Sequence, residues 1–289
     1  MLLFDAILGG LVLGGLYALV ATGLNLQYGV ARIMNLAYGE FVVLGSFAAY
    51  GFAAVLEVSP LWGLVVIAPA AFLLSWAIYR YLMTPLVRRA PNTDALEADT
   101  ILATFGLLFV IQGLFFAVMG GNIFGYSYLA FPIEVFGSKV AANRLLAFVV
   151  ATVIAIALWV AMRYTRVGTA IRALAVDPVS AGLVAINVPH YAALAFATGG
   201  MLIAAAGVLV SMFLSFTAAS GVIFTMKALI VVIMGGVGNV LGGFLAALLL
   251  GLAESLGGFL VEPGLTLAIN FAIFMIVLLW RPKGLFGAR

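Results

Sequence analysis

The chain has 289 residues, 66% hydrophobic and 8% charged, with a mean hydropathy of +1.29. No soluble domain hides that much apolar surface, so the composition selects a polytopic membrane protein; runs near twenty residues without period-2 alternation make it an α-helical bundle. The net charge of +3 gives no reason to expect nucleic acid, because the basic residues sit at the ends of apolar runs, where topology places them.

Apolar spans are predicted at about 6–28, 41–56, 61–79, 100–119, 145–162, 191–214 and 265–280. The first lacks a basic leader and a small-residue cleavage site, so it is read as a retained span. With no separate domain and no long linker, residues 1–289 form a single transmembrane domain. The loop 120–143 is the longest external segment expected, either a cover for the outer mouth or a passive connection. Three loops carry most of the positive charge: 80–99 with Arg80, Arg88 and Arg89, 163–190 with Arg163, Arg166 and Arg172, and the tail with Arg281, Lys283 and Arg289. Placing these inside, with Arg32, leaves Lys139, Arg144 and Lys227 outside and the N-terminus outside.

Parity then constrains the stretch 228–256. One crossing there, followed by the span at 265–280, would return the basic tail to the outside. The stretch is therefore expected to cross twice or dip and return, breaking near Gly235-Gly236-Val237-Gly238-Asn239, in a bundle of about 8–9 transmembrane helices. Glycine breaks at membrane depth need protein or a water-filled cavity around them, so Gly235, Gly236, Gly238 and Asn239 are candidates for a translocation path. Close helix packing is the competing reading, because Gly238 and Gly242, the series Gly243, Ala247, Gly251, and Gly10 with Gly14 repeat at small-xxx-small spacing.

The interlude 163–190 is built like a docking element. Asp177-Pro178 is a helix-start signal; Asn187 is expected as a left-handed C-cap and Pro189 as a stop, enclosing a nine-residue helix, Pro178–Ile186. Val179, Leu183 and Ile186 share one face, while Ala181 and Ala185 leave another part of the surface small. From spacing alone a groove-docking helix and an amphipathic connector on the membrane surface both stand.

Catalytic chemistry is not indicated. There is no phosphate-binding G-x-x-x-x-G-K-[ST], no cysteine, a single histidine (His190), and every Asp falls at or beyond a span end; no metal site and no cofactor bound by this chain are expected. The polar residues within or near spans are Asn25, Gln27, Asn35, Glu40, Thr104, Gln112, Glu254 and Asn270. Such groups face the bundle interior or a path, and Asn25, Asn35, Glu40, Thr104 and Gln112 join the path candidates. Glu40 is also read as a local ion-pair partner for Arg32, and Glu254 as solvated near an outer end.

Four segments together resemble a known family: MNLAYGEF (34–41), TRVGTAIRALAVDPVSAGLVAINVPH (165–190), KALIVVIMGGVGNVLGGFLAALLLGLAES (227–255) and RPKGLFG (281–287). They look like the permease subunits of branched-chain amino acid ABC importers, of the H type, over almost the whole chain. The resemblance implies a membrane half of an ATP-driven importer in a bacterial inner membrane. Its expected partners are a second, M-type permease, two cytoplasmic ATPases that hold ATP and Mg, and a periplasmic or lipid-anchored substrate-binding protein. It also makes 163–190 the cytoplasmic coupling loop, with Gly168, Ala170, Arg172, Asp177, Ala181, Ile186 and Asn187 matching the family pattern. Permeases for urea or short amides, an ion-coupled secondary transporter and a non-transport scaffold are the competing functions.

Overall fold

The computed structural model describes residues 2–135 and 138–286; Gly287 and Arg289 of the tail lie outside them. Twelve α-helices dominate the described residues, joined by short turns and one hairpin. Seven helical stretches are long and apolar enough to cross a membrane, and two shorter apolar helices, Gly221–Gly235 and Thr266–Trp280, complete the bundle.

The axis of the molecule is a pair of antiparallel helices, α1 (Leu2–Ala31) and α9 (Val188–Ser211). Small residues let neighbours reach α9's backbone. A Cβ at Gly199 would strike Gln27 and the Gly23 carbonyl, and one at Gly207 would strike Val42. Ser46 Oγ donates to the Gly207 carbonyl at 3.0 Å, and Gln27 Nε2 to the Phe196 carbonyl at 2.9 Å. Around this axis pack α2 (Glu40–Tyr50), α3 (Trp62–Ile78) and α11 (Val240–Leu260). Helices α5 (Thr93–Met119) and α6 (Ala142–Tyr164) are peripheral, with long exposed apolar faces, as suits lipid or subunit contact.

The spans differ from expectation mainly at their ends. α2 continues through a π-turn at Gly51–Val55. α3 runs on through a second π-turn, Tyr79–Met83, into α4 (Thr84–Arg89), so Arg80, Arg88 and Arg89 lie on helix rather than in a loop. Pro85, which lacks an N–H, sits just beyond that π-turn, and the Thr84 hydroxyl donates to the Tyr79 carbonyl at 2.9 Å. The 120–143 segment carries an antiparallel hairpin, β1 (Pro132–Val135) with β2 (Ser138–Ala141). Ahead of it Phe124 and Phe216 exchange backbone hydrogen bonds of 2.8 and 2.9 Å. Their rings close on Phe47, each with centroids 5.1 Å away, so this segment is packed onto the bundle.

The glycine break falls where parity required it. α10 (Gly221–Gly235) runs one way and α11 returns, with Gly236 (φ 100°) and Gly238 (φ 79°) making the turn. Both positions need the left-handed region that glycine enters without steric cost. The turn lies at the same end of the bundle as the C-terminus of α1, since Gly238 N donates to Asn25 Oδ1 at 3.1 Å. The tail joins them there: Leu285 N donates to the Met234 carbonyl and Asn239 Nδ2 to the Phe286 carbonyl. α5 begins at this end too, where Tyr28 donates to Glu97. The three basic regions are thus gathered at one end, with Lys139 and Arg144 at the other.

Lys227 departs from the expected arrangement. It sits within α10 and pairs with Glu254 of α11 at 2.7 Å, their side chains 13% and 15% exposed. Tyr17 donates to Glu254 at 3.0 Å and accepts from Lys227 at 2.7 Å, while Asn270 on α12 (Thr266–Trp280) donates to Glu254 at 3.1 Å. Glu254 is therefore not a solvated end residue but the centre of a polar knot joining α1, α10, α11 and α12.

Candidate functional site

Two places concentrate the polar residues: a broken segment inside the bundle and the docking element at its basic end. The chain breaks after α1 because Arg32 takes a left-handed conformation (φ 55°), and helix resumes only at a 3-10 turn, Leu36–Gly39. A break inside a bundle frees backbone groups that must find partners. Asn35 Oδ1 accepts from Ala37 N at 3.1 Å, and Asn35 Nδ2 donates to Gln27 Oε1 at 3.2 Å. Thr104 Oγ1 accepts from Leu36 N at 3.1 Å and donates to the Thr100 carbonyl at 2.7 Å. Thr225 Oγ1 accepts from Gly39 N at 2.8 Å, and the Tyr38 hydroxyl donates to the Val20 carbonyl at 2.7 Å. Of the sequence candidates, Asn35 and Thr104 are thus brought together as braces of the break. Thr225 and Tyr38, which no local pattern marks, complete the bracing.

Thr104→Val removes the side-chain partner of the part-buried Leu36 N–H. An unsatisfied buried donor costs about 1–3 kcal/mol, so thermal unfolding of the purified variant is expected to begin at clearly lower temperature than wild type. An unchanged midpoint would mean that the break needs no brace from α5.

Glu40 opens α2 beside this break. It is 1% exposed, and neither carboxyl oxygen has a hydrogen-bond partner. The expected pair with Arg32 does not form: the left-handed turn leaves Arg32 exposed, while Glu40 points inward against Gly221, where a Cβ would run into the carboxylate. Gln112 is half-buried on α5, eight residues and about 12 Å beyond Thr104, and takes no part in the bracing. Asn25, Gly235, Gly236, Gly238 and Asn239 group separately at the hairpin turn. There Asn239 caps α11 by accepting from Gly242 N at 2.9 Å, and Gly29 approaches Gly238 so closely that a Cβ on it would lie 3.1 Å from Gly238 Cα.

The docking element comprises α7 (Arg166–Val176) and α8 (Pro178–Leu183). Thr165 caps α7 through Gly168 N, and Asp177 caps α8, accepting from Val179 N at 2.9 Å and from the Ser180 hydroxyl. The Ser180 hydroxyl, followed by the Ser180 and Val179 backbone N–H groups, holds the Asp177 carboxyl below its ordinary range. The cap therefore stays ionised at neutral pH and is lost only as pH falls through that lowered value.

Two details correct the expectation. The second helix ends at Leu183, six residues long, and Ala185 rather than Asn187 takes the left-handed position (φ 62°). Asn187 instead begins α9, accepting from His190 N at 3.2 Å, with Pro189 in the first turn of that helix. Asn and Pro serve both helix ends, and here they start one. Gly168, Ala170 and Ala181 are buried, so the small residues seat the element on the bundle instead of receiving a partner. A Cβ at Gly168 would strike Met162 and the Ala161 carbonyl. Outward go Arg172, which donates to the Arg163 carbonyl at 3.4 Å, and a row of apolar side chains. Val176, Val179, Leu183 and Val184 are 85%, 76%, 84% and 70% exposed; Ile186 is half-buried.

A many-spanning helical bundle with a broken helix at its centre and an apolar, capped element held out at its basic end defines a membrane permease. The chain belongs to the branched-chain amino acid transport system permease component family, whose model matches residues 6–278. It is 29% identical to the high-affinity branched-chain amino acid transport system permease protein LivH of Escherichia coli K12, over 96% of this chain and 93% of that one. It is 28% identical to BraD of Pseudomonas aeruginosa, a permease protein of the same description, over 97% and 94%. Among solved structures, a chain of PsaBC from Streptococcus pneumoniae shares the fold, with a TM-score of 0.52 and 11% identity over 99% of this chain and 94% of that one.

Proposed function

We propose that this chain is the H-type permease of an ATP-driven importer of branched-chain amino acids. It works with an M-type permease, two cytoplasmic ATPases that bind ATP and Mg, and a periplasmic or lipid-anchored binding protein. The basic end of the bundle faces the cytoplasm of a bacterial inner membrane, and the start of α1 faces outside, in keeping with the positive charge gathered at 80–89, 163–172 and 281–283. The relatives' descriptions favour branched-chain amino acids over urea or short amides.

The observation that carries this reading is the exposed apolar row on α7 and α8. Four large apolar side chains held out in a polar, basic interlude cost solubility unless a partner covers them. They are rigidly placed, because Asp177 caps α8 and Ile171, Leu174 and Ala181 anchor the element inside. The element leads directly into α9, so a push from an ATPase reaches the axial helix. Packed interfaces switch between discrete arrangements, and tilting of α9 would carry α1 and α2 with it.

Leu183→Asp places a charge in the centre of the row without touching the anchors. Uptake is expected to fall about tenfold or more, in the range of a lost interface hot spot, while the purified subunit keeps its wild-type unfolding temperature. Pull-down from native membranes tests the assembly. Recovery of ATPases with wild-type but not Leu183→Asp permease supports the reading; equal recovery and full uptake by the variant overturn the role of this surface. Amino acid movement by the isolated chain in liposomes would overturn the importer reading altogether.

A further inference from the structure

The polar side chains of Gln27, Asn35, Tyr38, Thr104 and Thr225 around the central break all have hydrogen-bond partners; that of Glu40 has none. Asn35, Thr104 and Thr225 satisfy the backbone N–H groups of Ala37, Leu36 and Gly39, yet both oxygens of Glu40 are buried without a hydrogen bond. Among the described residues no other carboxylate has both oxygens buried and unpartnered. Leaving a carboxylate unpaired within a bilayer-spanning bundle is costly, and such residues mark paths and ligand sites. Among the described residues no cation is paired with it. Arg32 is exposed, and Lys227, six residues and about 9 Å along α10 from Gly221, is engaged by Glu254 and Tyr17.

The carboxylate also lies where space can be made. Its neighbour on α10 is Gly221, whose missing side chain is all that admits it. A small withdrawal of the start of α10 from α2 would open room directly at the carboxyl oxygens. Two helices, α2 and α10, begin here, and their N-terminal dipoles favour the ionised acid. A small cation entering between them would meet both carboxyl oxygens.

We infer that Glu40 is the subsite for the ammonium group of the transported amino acid, occluded in this conformation and exposed when α10 shifts away from α2. The inference rests on the importer reading. A primary ammonium offers three donors to the two carboxyl oxygens, and the apolar side chain would lie against the surrounding apolar helices.

The test uses the assembled importer and two readouts. In the first, uptake of leucine and ligand-stimulated ATP hydrolysis are compared for wild type and Glu40→Gln. The variant is expected to lose about tenfold or more in uptake, the range of one charge-assisted bond, while hydrolysis is still stimulated. In the second, wild-type importer is treated at mildly acidic pH, where a fraction of carboxyls carries a proton, with dicyclohexylcarbodiimide, which attacks protonated carboxyls, and labelling of Glu40 is read by peptide mass spectrometry. Leucine and 3-methylbutylamine are expected to suppress labelling, and 4-methylpentanoate, which lacks the amine, is expected not to. Glu254, already paired, serves as the internal control. Uptake by Glu40→Gln within twofold of wild type overturns the inference, as does labelling that ignores amines or never occurs. Should Glu40→Gln fail to assemble, the wild-type labelling decides alone. If wild type moves no amino acid but the amine still protects Glu40, the importer's substrate is wrong and the subsite stands.

Discussion

Gly251→Leu is expected to abolish the folded bundle. Gly10 and Gly14 of α1 meet Gly251 and Ala247 of α11 so closely that a Cβ at Gly14 would lie 2.8 Å from Leu248 Cα, and one at Gly10 2.8 Å from Leu252 Cα. A Cβ at Gly251 meets the N and Cα of Gly14 and the Gly10 carbonyl. These are backbone atoms, with no rotamer that can yield. Overpacking a core costs about 1–3 kcal/mol when side chains can adjust; here two helices must separate along their length, against a total stability of about 5–15 kcal/mol. Size-exclusion chromatography of detergent extracts should show loss of the monodisperse species. The control is Gly113→Ala on α5, where nothing lies within 4 Å. It should fold normally and gain up to about 1 kcal/mol from helix propensity. A wild-type profile for Gly251→Leu would refute the close approach of α1 and α11.

The second large effect concerns the polar knot. Glu254→Ala leaves the Lys227 ammonium inside the bundle with only the Tyr17 hydroxyl and ring beside it. Breaking a buried pair from one side costs about 3–5 kcal/mol, mostly because a charge is stranded. Adding Lys227→Met removes the stranded charge, so the double variant is expected to be more stable than Glu254→Ala alone. Thermal unfolding of the four proteins forms a double-mutant cycle that isolates the pair. Additive losses would show that Lys227 and Glu254 do not depend on each other.

Much of the architecture was legible because it follows from local chemistry. Apolar runs mark the spans, and the charges at their ends require a break at Gly235–Asn239, where Gly236 and Gly238 take positive φ. Asp177 was readable as a cap because its partners lie within three residues. The misreadings share a different cause. Lys227 and Glu254 are 27 residues apart, and only the register of α10 against α11 brings them together. Ala181 looked like free surface since a small apolar residue carries no mark of which side will be covered. Asn187 starts α9 and does not end α8, because the left-handed position falls to Ala185, a residue with no turn preference. Arg32 and Glu40 stand eight apart with opposite charge, yet the left-handed turn at Arg32 separates them.

The hairpin turn also sets an order of events during synthesis. It is held from two directions: Gly238 by Asn25 near the end of the first helix, and the flanking Met234 and Asn239 by backbone at Leu285 and Phe286. Leu285 and Phe286 follow α12, the last helix among the described residues, so they emerge from the ribosome after it. Until then α10 and α11 can enter the membrane and pair with α1, but the turn between them stays unfastened at one side. Closure of the turn thus comes late in the order of synthesis, after α12 has been made, and it fastens α10, α11 and the end of α1 to a segment far from them in sequence.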